Sequence, residues 1–469
     1  MRHLCQGSLL LLLSTLIPAC GGGGGNDKPP NILASVPTGL IVTPRGTARM
    51  DLAWVPGSTN EFEFRIERSD DGGTIFNQVG VAPMFSTGYS DLGLLPNKSY
   101  SYRVTAWNSV GNSPYAGPAA ASTAALTWKS TIGGPGIRAD HSAIYDSLGR
   151  RMILFGGQDD FFTFFNEVWA LDLLPSTTTL TNPPTNHWTQ LSPVAAGPPS
   201  DIPKETIGHS AIYDVQNDRM VVFGGQDTTP APNHLRNEVF VLTLGVTPTW
   251  SKVTPTGTSP TARMGHVAAY DAANQRMLVY GGIDAGGNLK SDAFFLSLPA
   301  NLSFAWSSAP SGPSGRAEHS AMVDGLRQQA IVFGGVDNNL VPDGTTLNGE
   351  TWSLSMTGAG GWTRRTFSGP PPSFREGHTT VYDADNQRLV LFGGDTTYGS
   401  APTANNDLWA LRLDVTSDWT FLSPSAGAPP VVRYGHTAIY DSGNRRMVVF
   451  GGYDSSPFPA YQDTWLSDF

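Results

Sequence analysis

The chain has 469 residues, among them 53 glycines and 36 prolines, and only 14% of its residues are charged. This profile is typical of many short strands joined by turns, and the length predicts two or three domains. The formal net charge is −10 and the chain has no run of lysines and arginines. We therefore expect no nucleic-acid binding, because that function needs a positively charged surface to contact the phosphates.

Residues 1–20 are typical of an export signal. An apolar run from Leu9 to Ile17 follows Arg2 and His3, and it is too short to span a bilayer. The string Ile17-Pro18-Ala19-Cys20 resembles a bacterial lipobox, with Ile in place of the usual Leu. The resemblance implies cleavage before Cys20, lipidation of its thiol and, since no Asp follows, an outer-membrane location. The alternative is an ordinary secretory signal with a chance cysteine.

Residues 21–35 begin with five glycines and end in a proline-containing stretch, which is typical of a tether between an anchor and a folded body. Cys5 and Cys20 are the only cysteines. The mature body is therefore expected to lack a disulfide, a thiol nucleophile and a cysteine-based zinc site.

Residues 36–124 alternate apolar and polar side chains with the period of β-strands, and Gly, Pro and Asn clusters separate the segments. This pattern predicts a β-sandwich. Residues Trp54, Tyr100 in a Leu-x-Pro-x-x-x-Tyr string, and the Asn108–Ser113 segment resemble a fibronectin type III domain. The resemblance implies a tyrosine corner at Tyr100, whose hydroxyl would hydrogen-bond the chain upstream.

Six segments of residues 125–469 share one template, which runs His-x-x-x-x-Asp, a short turn, Arg or Gln, an apolar run and Gly-Gly. The histidines are His141, His209, His266, His319, His378 and His436, and each first glycine follows 15 residues later. The constant core with variable flanks predicts a rigid antiparallel hairpin in which Asp146 faces Arg151. We expect these Asp/Arg pairs to be exposed clasps that contribute little to stability.

Each hairpin is followed by a third segment with an acidic residue and an aromatic one, such as Glu167-Val168-Trp169, and then by a segment with Trp, such as Trp188. Four short strands per repeat with these aromatics and the Gly pair resemble the Kelch motif. The resemblance implies a six-bladed β-propeller over residues 125–469. The last repeat lacks its fourth strand, whereas Leu126-Thr127-Trp128-Lys129 precedes the first repeat. We expect Trp128 to complete the sixth blade and close the ring.

The start of the first strand and the end of the second lie on one edge of each blade, where long loops gather and a binding face is expected. Five repeats place Arg three residues before the His, and five place Asp three residues after the first Gly. These residues are Arg138, Arg263, Arg316, Arg375 and Arg433, and Asp159, Asp227, Asp284, Asp337 and Asp454. They predict either a structural Arg–Asp pair in each blade or an arginine rim that binds an acidic ligand.

Phe161, Phe162, Phe164 and Phe165 in the first variable loop suit stacking on a sugar, an apolar protein contact or packing within the loop. The histidines are spread one per repeat, so we expect no metal site. Galactose oxidase also has Kelch blades, but its copper site needs a Tyr–Cys crosslink, and no cysteine remains here.

We therefore expect no cofactor and a non-catalytic, lipid-anchored envelope protein that presents its loops to a protein or glycan. The alternative is a sugar-acting enzyme, because periplasmic sialic-acid mutarotases are six-bladed Kelch propellers too.

Overall fold

The structure is a computed structural model that describes residues 32–131, 133–173, 187–229, 234–337, 346–347, 349–358, 360–397, 403–414, 418–424, 427–454 and 459–468. The predicted signal peptide, Cys20 and nearly all of the tether lie outside these ranges. The described chain is all β, as predicted, and its one helical element there is the 3-10 turn Pro199–Asp201. No helix within the described ranges is long and apolar enough to cross a membrane.

Residues 38–122 form two facing antiparallel sheets. One sheet contains Thr38–Pro44, Arg49–Val55 and Gly88–Leu92, and the other contains Asn77–Pro83, Glu63–Ser69, Ser99–Asn108, Gly111–Asn112 and Ala116–Ser122. The inward residues of both sheets share one buried core around Trp54, Phe64 and Tyr102. The Tyr100 hydroxyl accepts a hydrogen bond of 2.9 Å from the Leu95 backbone N–H, so this side chain ties the last long strand to the corner before it.

In the described ranges, residues 128–468 form six sheets of four or five strands, which we call blades 1 to 6, and three smaller sheets of two or three short strands. Blade 1 comprises Ser142–Asp146, Arg151–Phe155, Val168–Asp172 and Trp188–Leu191, and blade 2 comprises Ser210–Asp214, Arg219–Phe223, Val239–Thr243 and Thr249–Val253, with Val194–Ala195 added in parallel. Blade 3 comprises Val267–Asp271, Arg276–Tyr280, Ala293–Ser297 and Ala305–Ala309, and blade 4 comprises Ser320–Asp324, Gln329–Phe333, Thr351–Ser355 and Trp362–Arg364. Blade 5 comprises Thr379–Asp383, Arg388–Asp395, Ala404–Arg412 and Trp419–Phe421, and blade 6 comprises Thr437–Asp441, Arg446–Phe450, Thr464–Asp468 and Trp128–Thr131.

The first strand of each blade contacts the first strands of both neighbouring blades, and that of blade 6 contacts that of blade 1. These strands are therefore innermost. Trp128–Thr131 pairs antiparallel with Thr464–Asp468, so the outer strand of blade 6 comes from the other end of the repeat region.

The predicted hairpin register is confirmed, since Asp146 faces Arg151 and Ser142 faces Phe155. The prediction that the Asp/Arg pairs are exposed is wrong. The side chains of Asp214 and Arg219 are only 1% and 3% exposed, and the Arg219 guanidinium also donates to the Leu298 carbonyl of the next blade, at 2.7 Å. The pair therefore connects neighbouring blades, and removal of one partner should cost more stability than removal of one partner of a surface ion pair.

One aromatic residue at the end of each second strand fills the joint to the next blade. Phe155 of blade 1, for example, lies 5.0 Å from the ring centres of both His209 and Trp250 of blade 2. Trp128 of blade 6 occupies the equivalent position between blades 5 and 6, where its ring lies 5.1 Å from that of Phe392. Repeated histidines and tryptophans therefore pack blades together, because each ring buries apolar surface against the same partner.

Candidate functional site

The edge of the blades that carries the repeated histidines is the one where the long loops gather, and we call it the loop face. Short ladders extend the hairpins there. They pair Thr206–Ile207 with Gln226–Asp227, Arg263–Met264 with Ile283–Asp284, and Arg316–Ala317 with Val336–Asp337. The backbone pairing of Arg and Asp positions inferred from residue spacing is thus confirmed in blades 3 and 4.

The rim arginines lie inside the blades. Each is at most 1% exposed; they are Arg138, Arg263, Arg316, Arg375 and Arg433. Burial of five guanidinium groups requires internal partners for each charge.

Those partners are acidic residues in the third strands or directly before them. Arg375 makes a two-pronged ion pair with Asp407 at 2.6 and 2.9 Å and donates to the Gly393 carbonyl at 2.8 Å. The equivalent ion pairs are Arg138–Glu167, Arg263–Asp292, Arg316–Glu350 and Arg433–Asp463. Each arginine thus fastens its loop to the third strand. Ligand binding by this rim stays a prediction, and a ligand there would have to displace the partly exposed carboxylate that is paired with each arginine.

The aspartates of the predicted rim organise the loops. Asp159 accepts hydrogen bonds from the backbone N–H groups of Phe161 and Thr163, and Asp284 does the same for Gly286 and Asn288. Asp227 pairs with Arg236. Asp454 accepts from the Tyr461 hydroxyl, and Asp337 is buried in the blade 4 ladder.

The central axis of the loop face is closed by a ring of six backbone hydrogen bonds, one from each blade to the next. They link Asp140, Gly208, Gly265, Glu318, Gly377 and Gly435, the residues that precede the six histidines. All six have left-handed φ angles between 55° and 64°. Such angles suit glycine and are strained for other residues.

Asp140 and Glu318 are the two ring residues that are not glycine. They belong to blades 1 and 4, which are opposite each other in the ring. Each carboxylate lies over the glycine of the preceding blade: a Cβ on Gly265 would fall 2.4 Å from Glu318 Oε1, and one on Gly435 would fall 2.9 Å from Asp140 Oδ1. The neighbouring glycines thus make room for the two carboxylates.

Asp140, Glu318, the ring glycines and the six histidines line a recess of about 110 Å³. Asp140 Oδ2 accepts a hydrogen bond of 2.9 Å from the Gln158 amide. Among the described residues, no hydrogen bond or ion pair is found for the Glu318 carboxylate. The recess therefore carries negative charge that the described residues do not neutralise.

His319 differs from the other five histidines of the recess. The Nε2 atom of each of the other five lies 2.8–2.9 Å from the hydroxyl of a Ser or Thr at the start of the first strand of the preceding blade. For His319, the residue at the equivalent position is Val267, which has no hydroxyl. His319 is 5% exposed and neither of its ring nitrogens has a hydrogen-bond partner among the described residues. Burial and the charge of Arg316 lower the pKa of His319 well below its ordinary value, so the ring is neutral.

The carboxyl groups here hold protons unusually tightly. Burial raises the pKa of Asp140 to about 6, and burial together with the charge of Asp140 raises the pKa of Glu318 to about 7. Glu376, in blade 5, has its pKa raised to about 8 by burial and by the charges of Glu318 and Asp395. Such shifts are typical of functional sites.

Phe161 and Phe162 are exposed at the loop face, at 83% and 75%. Phe162 has a left-handed φ of 61°, so the loop holds an apolar pair outward in a strained conformation. Phe165, in contrast, packs within the loop, 4.5 Å from the Arg138 guanidinium. Phe164 pairs with Gln158 through its backbone.

Asp140, Glu318 and Glu376 were not predicted as site residues. The available signal was the departure from the repeat, because Asp140 and Glu318 stand where four repeats have glycine. Within the described ranges, no group of three or more His, Cys, Asp or Glu side chains is placed to hold a metal ion.

The comparisons with known families agree with this architecture. Residues 120–340 match the model for the Attractin/LZTR1 beta-propeller, and residues 328–469 match the model for the KLHDC2/KLHL20/DRC7 Kelch-repeats domain. The repeat region is therefore a Kelch-type β-propeller.

Similar curated proteins are eukaryotic. Adagio-like protein 1 of Oryza sativa subsp. japonica is 28% identical over 70% of this chain and 50% of its own length. The Rab9 effector protein with kelch motifs of Xenopus laevis is 28% identical over 45% of this chain and 55% of its own length. Tip elongation aberrant protein 1 of Schizosaccharomyces pombe is 31% identical over 46% of this chain and 18% of its own length. The chain thus spans about half or less of the length of these relatives.

Two solved structures are similar in shape at low identity. The YjhT structure is 15% identical with a TM-score of 0.49 and covers 71% of this chain and 95% of its own. A fungal alcohol oxidase of the AA5 family in complex with copper is 12% identical with a TM-score of 0.45 and covers 78% of this chain and 67% of its own. Both scores are too low for either likeness to bear on function.

Proposed function

We propose that this chain is a non-catalytic binding protein whose Kelch propeller engages a partner through the loop face, with the central recess as its polar contact point. The observation that carries the proposal is the pair of strained, inward carboxylates Asp140 and Glu318 at ring positions otherwise held by glycine. Strain and unneutralised charge both cost stability, and they are retained where a ligand supplies the compensation.

A protein partner is favoured over a glycan. The recess of about 110 Å³ is well below the roughly 300–1,000 Å³ of sites that enclose small molecules. It accepts the tip of one side chain rather than a sugar ring. The exposed Phe161 and Phe162 supply apolar contact area on the same loop face. One relative, the Rab9 effector protein with kelch motifs, is named for a protein partner.

Site-specific crosslinking tests this proposal on the full chain in cells that make it. The photoreactive residue p-benzoylphenylalanine replaces Phe161 at the loop face. The matched control carries it at Leu148, which is 63% exposed in the turn at the opposite edge of the same blade. We expect a discrete crosslinked protein from position 161 alone. Crosslinking to a glycan, or the same products from both positions, would contradict the proposal.

A sugar-acting enzyme is the second candidate. It is favoured by the pKa of Glu318, raised to about 7, because a general acid or base works best when its pKa is near the operating pH. A sialic-acid anomerisation assay of the wild type and the Glu318→Gln variant tests it. Activity that Glu318→Gln abolishes would replace the binding proposal, and inactivity of the wild type would exclude this substrate.

We also propose that the six blades form a closed propeller, and that residues 36–124 are a fibronectin type III spacer. The pairing of Trp128–Thr131 with Thr464–Asp468 supports the first, and the strand order of the two sheets with the Tyr100 hydrogen bond supports the second.

The spacer would hold the propeller away from a lipid on Cys20, at the outer membrane. Cys20→Ser should release the protein from membranes in cell fractionation. A membrane-bound variant, with no labelled lipid on the wild type, would exclude the anchor.

A further inference from the structure

The central recess is built to accept a positively charged group. Its acceptors are the Asp140 and Glu318 carboxylates and the neutral imidazole of His319, and none of the described residues that line it is a lysine or an arginine. The unpartnered His319 Nε2 is a second observation, independent of the acidic pair. This side chain is 5% exposed, and among the described residues its Nε2 lacks the hydroxyl partner that the other five histidines have, whereas an unpartnered Nδ1 is common to all six. Buried polar atoms in proteins are normally hydrogen-bonded, so the His319 Nε2 points to a ligand.

We propose that the recess binds the ammonium group of a lysine side chain on the protein partner. The inference rests on the proposed binding function and adds the chemistry of the recognised group. A carboxylate from blade 1, a carboxylate from blade 4 and the imidazole of blade 4 line the recess as three separate acceptor groups. Three separate acceptors match the three N–H donors of an ammonium group, whereas a planar guanidinium pairs with one carboxylate through two parallel bonds.

The volume agrees with this ligand. A recess of about 110 Å³ holds the end of an alkylammonium chain, and the rest of the partner would lie on the loops around it. The Glu318 carboxylate lies directly against Gly265, because a methyl group on Gly265 would fall 2.4 Å from Glu318 Oε1. Glycine in blades 3 and 6 is therefore part of the site, because it lets each carboxylate extend across its neighbour.

Calorimetric and ligand-observed NMR titrations of the full chain with N-acetyl-lysine methylamide test the inference. n-Butanol is the neutral control, propylguanidinium is the planar cation, and 1,4-diaminobutane represents a free amine. We expect the lysine probe to bind more tightly than propylguanidinium, n-butanol not to bind, and added salt to weaken binding. Tighter binding of diaminobutane would assign the recess to a free amine and overturn the assignment to lysine.

Two conservative variants and a control complete the test. Glu318→Gln and Asp140→Asn keep the shape of the recess, and each should weaken the lysine probe at least about tenfold. Asp172→Asn removes an exposed carboxylate at the opposite edge of blade 1 and should leave binding unchanged. Equal binding by all four proteins, or no binding by the wild type, would overturn the inference.

Should either variant fold poorly, Glu318→Gly restores the glycine found in four of the blades, so the loss of binding can be measured in a ring that keeps only one strained residue, Asp140. The crosslink from position 161 separates the two proposals. If that crosslink persists in Glu318→Gln while the lysine probe never binds, the binding function stands and the ammonium site fails.

Discussion

Residues that recur from blade to blade and residues that interrupt the repeat behave in opposite ways. The recurring arginines of the loop face are buried and each forms an ion pair, as Arg375 does with Asp407 while it also donates to the Gly393 carbonyl. The interrupting residues Asp140 and Glu318 are strained, and Glu318 has no partner among the described residues. Repetition in this propeller therefore indicates a structural role, while function is indicated by the exceptions.

The largest effect should come from breaking a recurring pair. Arg375→Ala leaves the Asp407 carboxylate, 23% exposed, without its counter-charge, and we expect a loss of about 3–5 kcal/mol in the free energy of unfolding. Arg364→Ala, the control, removes a side chain that is 60% exposed and should cost less than about 1 kcal/mol. Urea denaturation measures both. An unchanged stability with lost binding of an acidic ligand would instead favour the arginine rim as a ligand site.

The second test concerns the tryptophan of the fourth strand, which in blade 6 is Trp128 from the other end of the repeat region. Trp128 packs at 5.1 Å against Phe392 and is 5% exposed, so Trp128→Ala should cost about 3–5 kcal/mol. Lys129→Ala, whose side chain is 69% exposed in the same strand, is the control and should change little.

Truncations sharpen this test. Removal of residues 1–130 should lower the melting temperature more than removal of 1–120, because it strips the outer strand from blade 6 and bares a strand edge. If the two truncations melt together, the strand has no part in stability.

Much of this contrast could be predicted from the sequence. The constant His-to-Gly spacing predicts the hairpin register, because antiparallel pairing fixes which backbone positions face each other. It does not predict where a long side chain ends. Arg263 faces Asp284 in the backbone ladder, yet its guanidinium reaches Asp292 on the third strand. The third-strand acids were visible as a recurring feature, but nothing in residue spacing assigned them as partners of the arginines.

The central ring was beyond prediction for a different reason. Its six hydrogen bonds join residues from different repeats, and only the assembled ring shows that the position before each histidine is left-handed. The same holds for the exposure of the Asp/Arg pairs, which neighbouring blades cover. Contacts between repeats depend on how blades stack, and stacking leaves little trace in the spacing within one repeat.

The two interrupting carboxylates, together with Glu376 of blade 5, should make stability depend on pH. Burial raises the folded pKa values to about 6 for Asp140, about 7 for Glu318 and about 8 for Glu376, whereas the unfolded values are near 4. The groups around them are Asp395, Tyr434 and the six neutral histidines. Because the folded state holds these protons more tightly, their contribution to stability is complete below about pH 4 and is lost as the pH rises through about 6–8.

We therefore expect the melting temperature of the wild type to be lower at pH 9 than at pH 5 by about 2–5 °C. The double variant Glu318→Gln/Glu376→Gln should show a smaller difference and should be the more stable protein at pH 9. Asp172→Asn, remote from the recess, should follow the wild type. Calorimetry at both pH values measures this, and parallel curves for all three proteins would show that these carboxyl groups do not titrate in this range.

The smallest change in stability should come from restoring the repeat itself. Asp140 and Glu318 have φ angles of 57° and 55°, which cost a non-glycine residue about 1 kcal/mol or more each, partly offset because glycine gains entropy in the unfolded chain. Asp140→Gly/Glu318→Gly should thus raise the free energy of unfolding by about 1 kcal/mol while abolishing binding of the lysine probe.

Gly208→Ala is the matched control in the same ring. Its φ is 60° and its new Cβ would lie 3.2 Å from the Met264 Cβ, so this change should lower stability by about 1 kcal/mol. If the two carboxylates are kept for binding although they lower stability, the double glycine variant should gain stability and lose binding at the same time. If the double glycine variant proved less stable than the wild type, the two carboxylates would be structural residues of the ring, and the contrast between recurring and interrupting residues would not hold.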